Sequence, residues 1–411
     1  MVTLLAIAAL TLLAGLTYYL GRSLIYPPFA MAASWASLLA FLACSRSYLF
    51  ALHEETSFFF VIGVLAFCTG GLLTHYLYRP NQRIVGYNPT RVRKILNILL
   101  VALLVFFPFY WRFITELVSA GQNDTFWVAL RGALIEESTE AVSGFSVMDN
   151  IVVLADLTVI LAWYHRDTEK WRAWAAFGFF IVYNVLTAGR AGFVFILLCL
   201  FTIEVLKRGK IPWRAVVVFA LVFAIAFFGL AVLVRKAGAN PDASFGENLP
   251  MLVEGFQLYT VGPLVAFDNL YQHPSAIQPT QNIDRNFRIA ANKLGYRNEV
   301  PYLHAAFSTV GPSGVDMNVY TIYFSYFPQL GTVGSLAMMF LLGAGVTFAY
   351  VKAITGGPQA VMIFGILFYA IPLSGYAEYY FMNLNFLGKM VLLSFLCYGF
   401  GSRQSVDPLP C

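Results

Sequence analysis

Charge is what this chain has least of. Aspartate, glutamate, lysine and arginine make up 11% of its 411 residues, against about 25% in an ordinary soluble domain. That shortage excludes a single water-soluble globular fold. Cysteine is also scarce, with five residues and no CxxC spacing. Four of the five lie in apolar runs and the last is Cys411, so neither a disulfide framework nor a zinc site is expected. The sequence has no HExxH, no carboxylate pair at metal-ligand spacing and no P-loop, so no metal and no cofactor is expected. No series of acids and histidines links the two faces of the apolar segments, which argues against a proton-coupled pump. A net charge of +5 is ordinary for a membrane protein and does not call for nucleic acid as a partner.

What is present is hydrocarbon. Hydrophobic residues make up 59% of the chain, and several apolar runs reach the length that spans a bilayer. The expectation is an all-α polytopic membrane protein with the lipid bilayer as its surroundings. Apolar segments fall near 2–20, 27–44, 57–77, 95–111, 150–164, 173–188, 191–206, 213–234, 329–351, 359–379 and 384–401. This predicts about 11 transmembrane helices, in a range of about 10 to 12. The first segment has no basic residues before it and reads as a spanning helix, not a cleaved signal.

Basic residues set the expected orientation. The connection 78–94 carries Arg79, Arg83, Arg91, Arg93 and Lys94; 165–172 carries Arg166, Lys170 and Arg172; 207–214 carries Lys207, Arg208, Lys210 and Arg214. All three fall on one side, which is then cytoplasmic. The connection 112–149 falls opposite and is acidic, with Glu116, Asp124, Glu136, Glu137, Glu140 and Asp149 against Arg112 and Arg131. The N-terminus is then outside and the C-terminus inside. The chain divides into helices over 1–234, a large outer loop over 235–317 and helices over 318–411.

The loop holds six basic and seven acidic residues. Within it, 251–271 has apolar residues at helical spacing and reads as a helix lying along the membrane surface. Arg285 and Arg288 share a helical face. For Arg288, Lys293 and Arg297 an anionic ligand stands level with a solvated amphipathic face or contacts with lipid headgroups. Arg190 lies in the turn TAGRAG (187–192), at the start of the helix 191–206. Guanidinium and helix N-terminal amides both favour a phosphate, although an interfacial arginine also reaches water by itself. Arg235 ends the helix 213–234, where a cation is favourable in any case.

The intramembrane polar residues are few: Asp156, Asn184, Thr187 and Glu378. For Asp156, a functional acid and a helix–helix hydrogen bond are both open readings. His53 falls in an outer loop, His75 and His165 at cytoplasmic helix ends, and His273 and His304 in the large loop. Tyr320, Tyr323 and Tyr326 suit an aromatic belt at the interface better than a sugar-stacking platform.

Several segments together resemble the Wzy-type O-antigen and oligosaccharide repeat-unit polymerases of bacterial inner membranes. They are YPPFAMAASW (26–35), FVIGVLAFCTGGLL (60–73), TAGRAGFVFILLCLF (187–201), LYTVGPLVAFDNL (258–270) and NVYTIYFSYFPQLGTVGS (318–335). They run in order through most of the chain. The resemblance implies a GT-C-like, all-helical glycosyltransferase with a large periplasmic loop. It would join repeat units carried on undecaprenyl pyrophosphate, at the periplasmic face, by inverting transfer. It also implies a chain-length regulator as a partner.

On this resemblance Arg190 and Arg235 bind and stabilise the donor pyrophosphate. Asp316, Glu254 and His304 are candidates for the base. Arg285, Arg288, Tyr259, Asn318 and Tyr320 are expected to bind substrate. The family's Arg-x10-Gly spacing fits Arg235 with Gly246, whereas Phe201 stands at that distance from Arg190. The related O-antigen ligases carry a histidine before the asparagine that Asn318 matches, and Met317 stands there in this chain. That favours polymerase over ligase and leaves the base unassigned. A lipid-linked oligosaccharide transporter is the other alternative; it would predict pseudo-repeats and a charged central cavity, and the sequence displays neither.

Overall fold

The computed structural model describes residues 2–45, 48–78, 87–119, 126–140, 147–187, 191–211, 213–229, 232, 243–274, 285–296 and 307–399. In chain order its helices are α1 (Val2–Gly21), α2 (Pro27–Cys44), α3 (Glu54–Leu77), α4 (Pro89–Ser119), α5 (Phe126–Glu140), α6 (Val147–Tyr164) and α7 (Lys170–Leu186). There follow α8 (Ala191–Arg208), α9 (Trp213–Ala224), α10 (Phe245–Gln272), α11 (Arg285–Lys293), α12 (Phe327–Thr355), α13 (Pro358–Phe368) and α14 (Leu384–Tyr398). Among the described residues, α1, α2, α3, α4 and α12 are long and apolar enough to cross a membrane. Shorter apolar helices are 150–164 within α6, α13 and α14. The chain is an all-helical membrane protein.

Four expectations change. The segment 359–379 is not one helix: α13 stops at Phe368 and 369–383 runs as turns and irregular backbone. Pro372 has no N–H to continue a helix, and Gly375 follows three residues later. The connection 112–149 is not simply a loop, because α4 continues to Ser119 and α5 occupies 126–140. Leu130 of α5 is buried with Leu103, Ile151 and Tyr183. The segment 251–271 does not lie on a surface either. Within α10, Val261, Leu264, Val265, Ala266, Phe267 and Leu270 are all fully buried. They point in every direction around the helix, so this half is a core element and not an amphipathic one. Finally, Tyr320, Tyr323 and Tyr326 do not form a belt. All three are buried, because the chain there turns through a 3-10 helix, Ile322–Ser325, that carries the rings inward.

The chain forms two compact units. The first comprises Met1–Asn81, Val253–Lys352 and Leu367–Asn385. Its centre is a knot of aromatic rings: Trp35 on α2, Phe59 and Phe60 on α3, Phe267 on α10, and Tyr323. Ring centroids lie 4.8 Å apart for Trp35–Phe60, 4.9 Å for Phe59–Tyr323 and 5.6 Å for Phe60–Phe267. Such contacts add about 0.5–1.5 kcal/mol each beyond area burial. Elsewhere α3 and α12 touch backbone to backbone. A Cβ on Gly70 would meet the Phe340 carbonyl oxygen at 2.1 Å, and one on Gly343 the Phe67 carbonyl oxygen at 2.0 Å. Glycine at both positions is what permits the crossing, the small-residue packing usual between membrane helices. Gly331 interrupts α12 near its start, with φ 65°, a conformation that favours glycine.

The second unit comprises Gln82–Leu252, Ala353–Ile366 and Phe386–Cys411. Pro108 inside α4 removes one helical hydrogen bond. Close by, the Tyr183 hydroxyl donates to the Leu103 carbonyl at 2.7 Å. The Asn184 amide of α7 donates to Asp156 of α6 at 2.8 Å, and both side chains are buried. Asp156 therefore has a helix–helix partner. The basic connections meet at one end of this unit. Glu169 accepts from Arg93 at 2.9 Å and pairs with Arg172. Glu204 accepts from Arg166 at 3.0 Å and Arg208 at 2.8 Å, and Lys207 pairs with Asp167 at 2.7 Å. The hydrogen bond from Lys207 is the largest cause that holds the Asp167 carboxyl below its usual pKa; burial opposes it, and the charges of Lys207, Arg166 and Arg208 add to it.

Candidate functional site

The site lies within the first unit, at the end where α3 begins and α10 finishes. His53 is the residue before α3 and Asp268 lies in the last turns of α10. The Asp268 carboxylate accepts from the His53 backbone N–H at 3.2 Å and meets the ring Nδ1 at 2.9 Å. The aspartate side chain is 2% exposed and the histidine side chain 61%. A carboxylate only accepts, so the neutral ring carries its proton on Nδ1. Its Nε2 then bears the lone pair and stands free of that contact. A buried acid orienting an exposed imidazole in this way makes a competent proton acceptor.

The surroundings are polar and ordered. Asn269, beside Asp268, donates to the Ser308 hydroxyl at 2.9 Å and to the Thr309 carbonyl at 2.8 Å. Strands β1 (Ser308–Thr309) and β2 (Asp316–Met317) form a small antiparallel hairpin. The hairpin holds the 48–53 segment, because Phe50 N–H donates to the Val310 carbonyl at 2.9 Å. Gln272 donates to Thr56 at 3.4 Å. Glu54 and Glu55 occupy the first turn of α3 and are exposed, a placement the helix dipole favours. Burial, and then the Glu254 carboxylate, push the Tyr48 phenol above its usual pKa. Phe50 and Phe307 are exposed aromatics on the same loops.

Next in sequence is the NVYT element. Met317 is buried and packs on Gly262 of α10, which shows why an apolar residue fits at that position. Asn318 is half-buried. Tyr320 is buried and stacked on Phe324 at 4.4 Å. The chain then meets 369–383: Ile322 N–H donates to the Ser374 carbonyl at 2.8 Å, and the Trp35 indole donates to the Ser374 hydroxyl at 2.9 Å. Tyr326 donates to Glu378 at 3.1 Å, and Glu378 also accepts backbone N–H bonds from Tyr380, Phe381 and Met382. Two non-helical stretches are thereby fastened to each other.

Of the expected site residues, Asp316 belongs to this cluster, exposed on β2 and accepting from the Thr309 hydroxyl at 2.8 Å. Glu254 is exposed on α10, and Tyr259 is half-buried on the same helix. Arg285 begins α11, where Arg288 is half-buried. Arg190, Arg235 and His304 lie outside the described residues. Sequence reasoning missed the pairing of His53 with Asp268. Its one local signal was an acid isolated in the apolar run LVAFDNLY; the two partners are 215 positions apart.

The first unit also carries an open groove of about 490 Å³ lined by Ala33, Ser34, Ser37, Leu38, Phe41, Phe256, Thr260 and Pro372. In the second unit an apolar cavity of about 360 Å³ is lined by side chains that include Val194, Leu197, Phe201 and Phe219. Among the described residues no group of three or more histidine, cysteine or acidic side chains is arranged to hold a metal ion. Comparison with protein-family models, with curated proteins and with solved structures gives no match.

Proposed function

We propose that the chain is a polymerase of lipid-linked oligosaccharide repeat units. An acceptor sugar hydroxyl attacks the anomeric carbon of a donor glycan on undecaprenyl pyrophosphate. The bond to pyrophosphate breaks with inversion, and the lipid pyrophosphate leaves. The reading starts from the five ordered sequence elements. The observation that carries it further is the irregular backbone of 307–326 and 369–383, the longest non-helical stretches among the described residues of a largely helical membrane protein. Such backbone is tolerated at membrane depth only where it is enclosed by protein or lines a cavity. Here it begins at the hairpin and contains the whole NVYT element.

In this proposal about 11 spans hold a GT-C-like fold in a bacterial inner membrane, with the chemistry on the periplasmic face. Arg190 and Arg235, with Arg285, bind the pyrophosphate and offset its developing charge. The isoprenoid tail needs only an apolar groove between helices. The acidic end of the first unit suits sugar hydroxyls and not phosphate. Orientation of the acceptor hydroxyl contributes much of the rate enhancement.

Deletion of the gene in its host tests the class of activity. A polymerase-null cell displays lipopolysaccharide with a single repeat unit, while loss of a ligase leaves none attached. Arg190→Ala and Arg235→Ala, returned to the null cell, are expected not to restore long chains. Long chains from both variants would sink the pyrophosphate assignment.

A further inference from the structure

We propose that His53 is the general base for the acceptor hydroxyl and that Asp268 is its positioning residue. The inference rests on the polymerase reading and names the one group that reading leaves open. An attacking hydroxyl must lose its proton as the new C–O bond forms. His53 Nε2 takes that proton. The electron pair of the breaking C–O bond goes to the lipid pyrophosphate, so no other reactant is needed.

Three observations converge on this pair. The first is the contrast in exposure: the acid is sealed and the imidazole is open. An arrangement that served only to pin the loop would need the backbone N–H contact alone. The ring contact at 2.9 Å fixes the tautomer as well, and it leaves Nε2 as the acceptor. The second is rigidity. The residue after Asp268 is tied to β1 through two hydrogen bonds, and Phe50 is tied to the same hairpin. The base therefore sits on braced backbone, which proton transfer in a fixed geometry requires. The third is the company it keeps. Glu54 and Glu55 follow it directly in the chain and are exposed, Asp316 is exposed on the hairpin that holds its loop, and Phe50 and Phe307 present open rings on the segments joined there. Carboxylates accept from sugar hydroxyls, and aromatic faces pack on the C–H faces of pyranose rings. The ligand class is thus a neutral or aminated sugar at the acceptor end of the reaction, not an anion.

The other carboxylates are weaker candidates. Asp316 is tied to the Thr309 hydroxyl, and among the described residues no hydrogen bond orients Glu254 as Asp268 orients His53.

The test measures the rate of joining two synthetic lipid-pyrophosphate-linked repeat units by the purified full-length protein in liposomes. His53→Gln keeps a donor for Asp268 but takes up no proton. It is expected to lower kcat by about 100-fold or more with KM within about twofold and an unchanged melting temperature. Asp268→Asn retains the shape but reverses the tautomer preference, and kcat is expected to fall more than about tenfold; Asp268→Glu regains part of it. His53→Ala is expected to recover activity with added imidazole. A His53→Gln rate within about threefold of wild type overturns the assignment while leaving the polymerase reading intact. So does a loss that only follows a fall in melting temperature, or one that lies wholly in KM. A wild-type protein that joins no units overturns both.

Discussion

Replacing Gly343 by alanine probes the tightest backbone-to-backbone approach at the described glycines of the first unit. The new methyl would sit 2.0 Å from the Phe67 carbonyl oxygen, 2.7 Å from its carbon and 2.9 Å from its Cα. All three atoms are backbone, so no rotamer change relieves the clash. An ordinary C···O approach is about 3.3 Å, so α3 and α12 must part by roughly 1.3 Å. A gap of about 1 Å already forfeits a quarter to a half of each van der Waals well along the crossing. The reciprocal contact of Gly70 with Phe340 opens at the same time. Overpacking of this kind costs about 1–3 kcal/mol. Gly345→Ala is the internal control, since nothing lies within 4 Å of its added methyl. There the better helix propensity of alanine makes the change neutral or slightly stabilising. Melting in detergent, followed by loss of the monodisperse peak in gel filtration, separates the two. Gly343→Ala melting at or above the Gly345→Ala temperature would refute the packing argument.

Two further changes follow from the second unit. Glu204→Ala leaves Arg166 and Arg208 without their shared carboxylate, and because both arginines still reach solvent an expected loss of about 1–2 kcal/mol is measurable by the same melt; an unchanged melting temperature would contradict it. His165, buried against Tyr398 at 2.7 Å, is pushed down to about 4, first by desolvation and then by Lys207, with Glu169 opposing. Its folded pKa lies below the unfolded value of about 6.5, so its contribution is fully present above pH 6.5 and is lost as pH falls towards 4, by up to about 3 kcal/mol. His165→Phe is expected to flatten the melting-temperature profile over that window, and an unaltered slope would sink the argument.

Much of the helical layout was legible because membrane helices announce themselves through length and apolarity. The runs 2–20, 27–44, 57–77 and 329–351 each fall within one of the long helices. The grouping of basic connections was legible too, since Arg93, Arg166, Arg172, Lys207 and Arg208 have neighbouring carboxylates to meet. What sequence hid was tertiary. The run 359–379 is apolar throughout, yet Pro372 ends its helical character. Three tyrosines at 320, 323 and 326 look alike on a belt and in a core, and only the 3-10 turn decides between them. Asp156 has its partner on another helix. The pairing of His53 with Asp268 joins a short loop to a helix end far along the chain, so no spacing rule exposes it.

The proposed activity is the formation of glycosidic bonds between lipid-linked repeat units. The most direct measurement incubates purified protein in liposomes with synthetic repeat units on undecaprenyl pyrophosphate and resolves the products on a gel. The expected product is a ladder spaced by one repeat unit, with lipid pyrophosphate released in step with each added rung. Units that bind or cross the bilayer without any new glycosidic bond would contradict it.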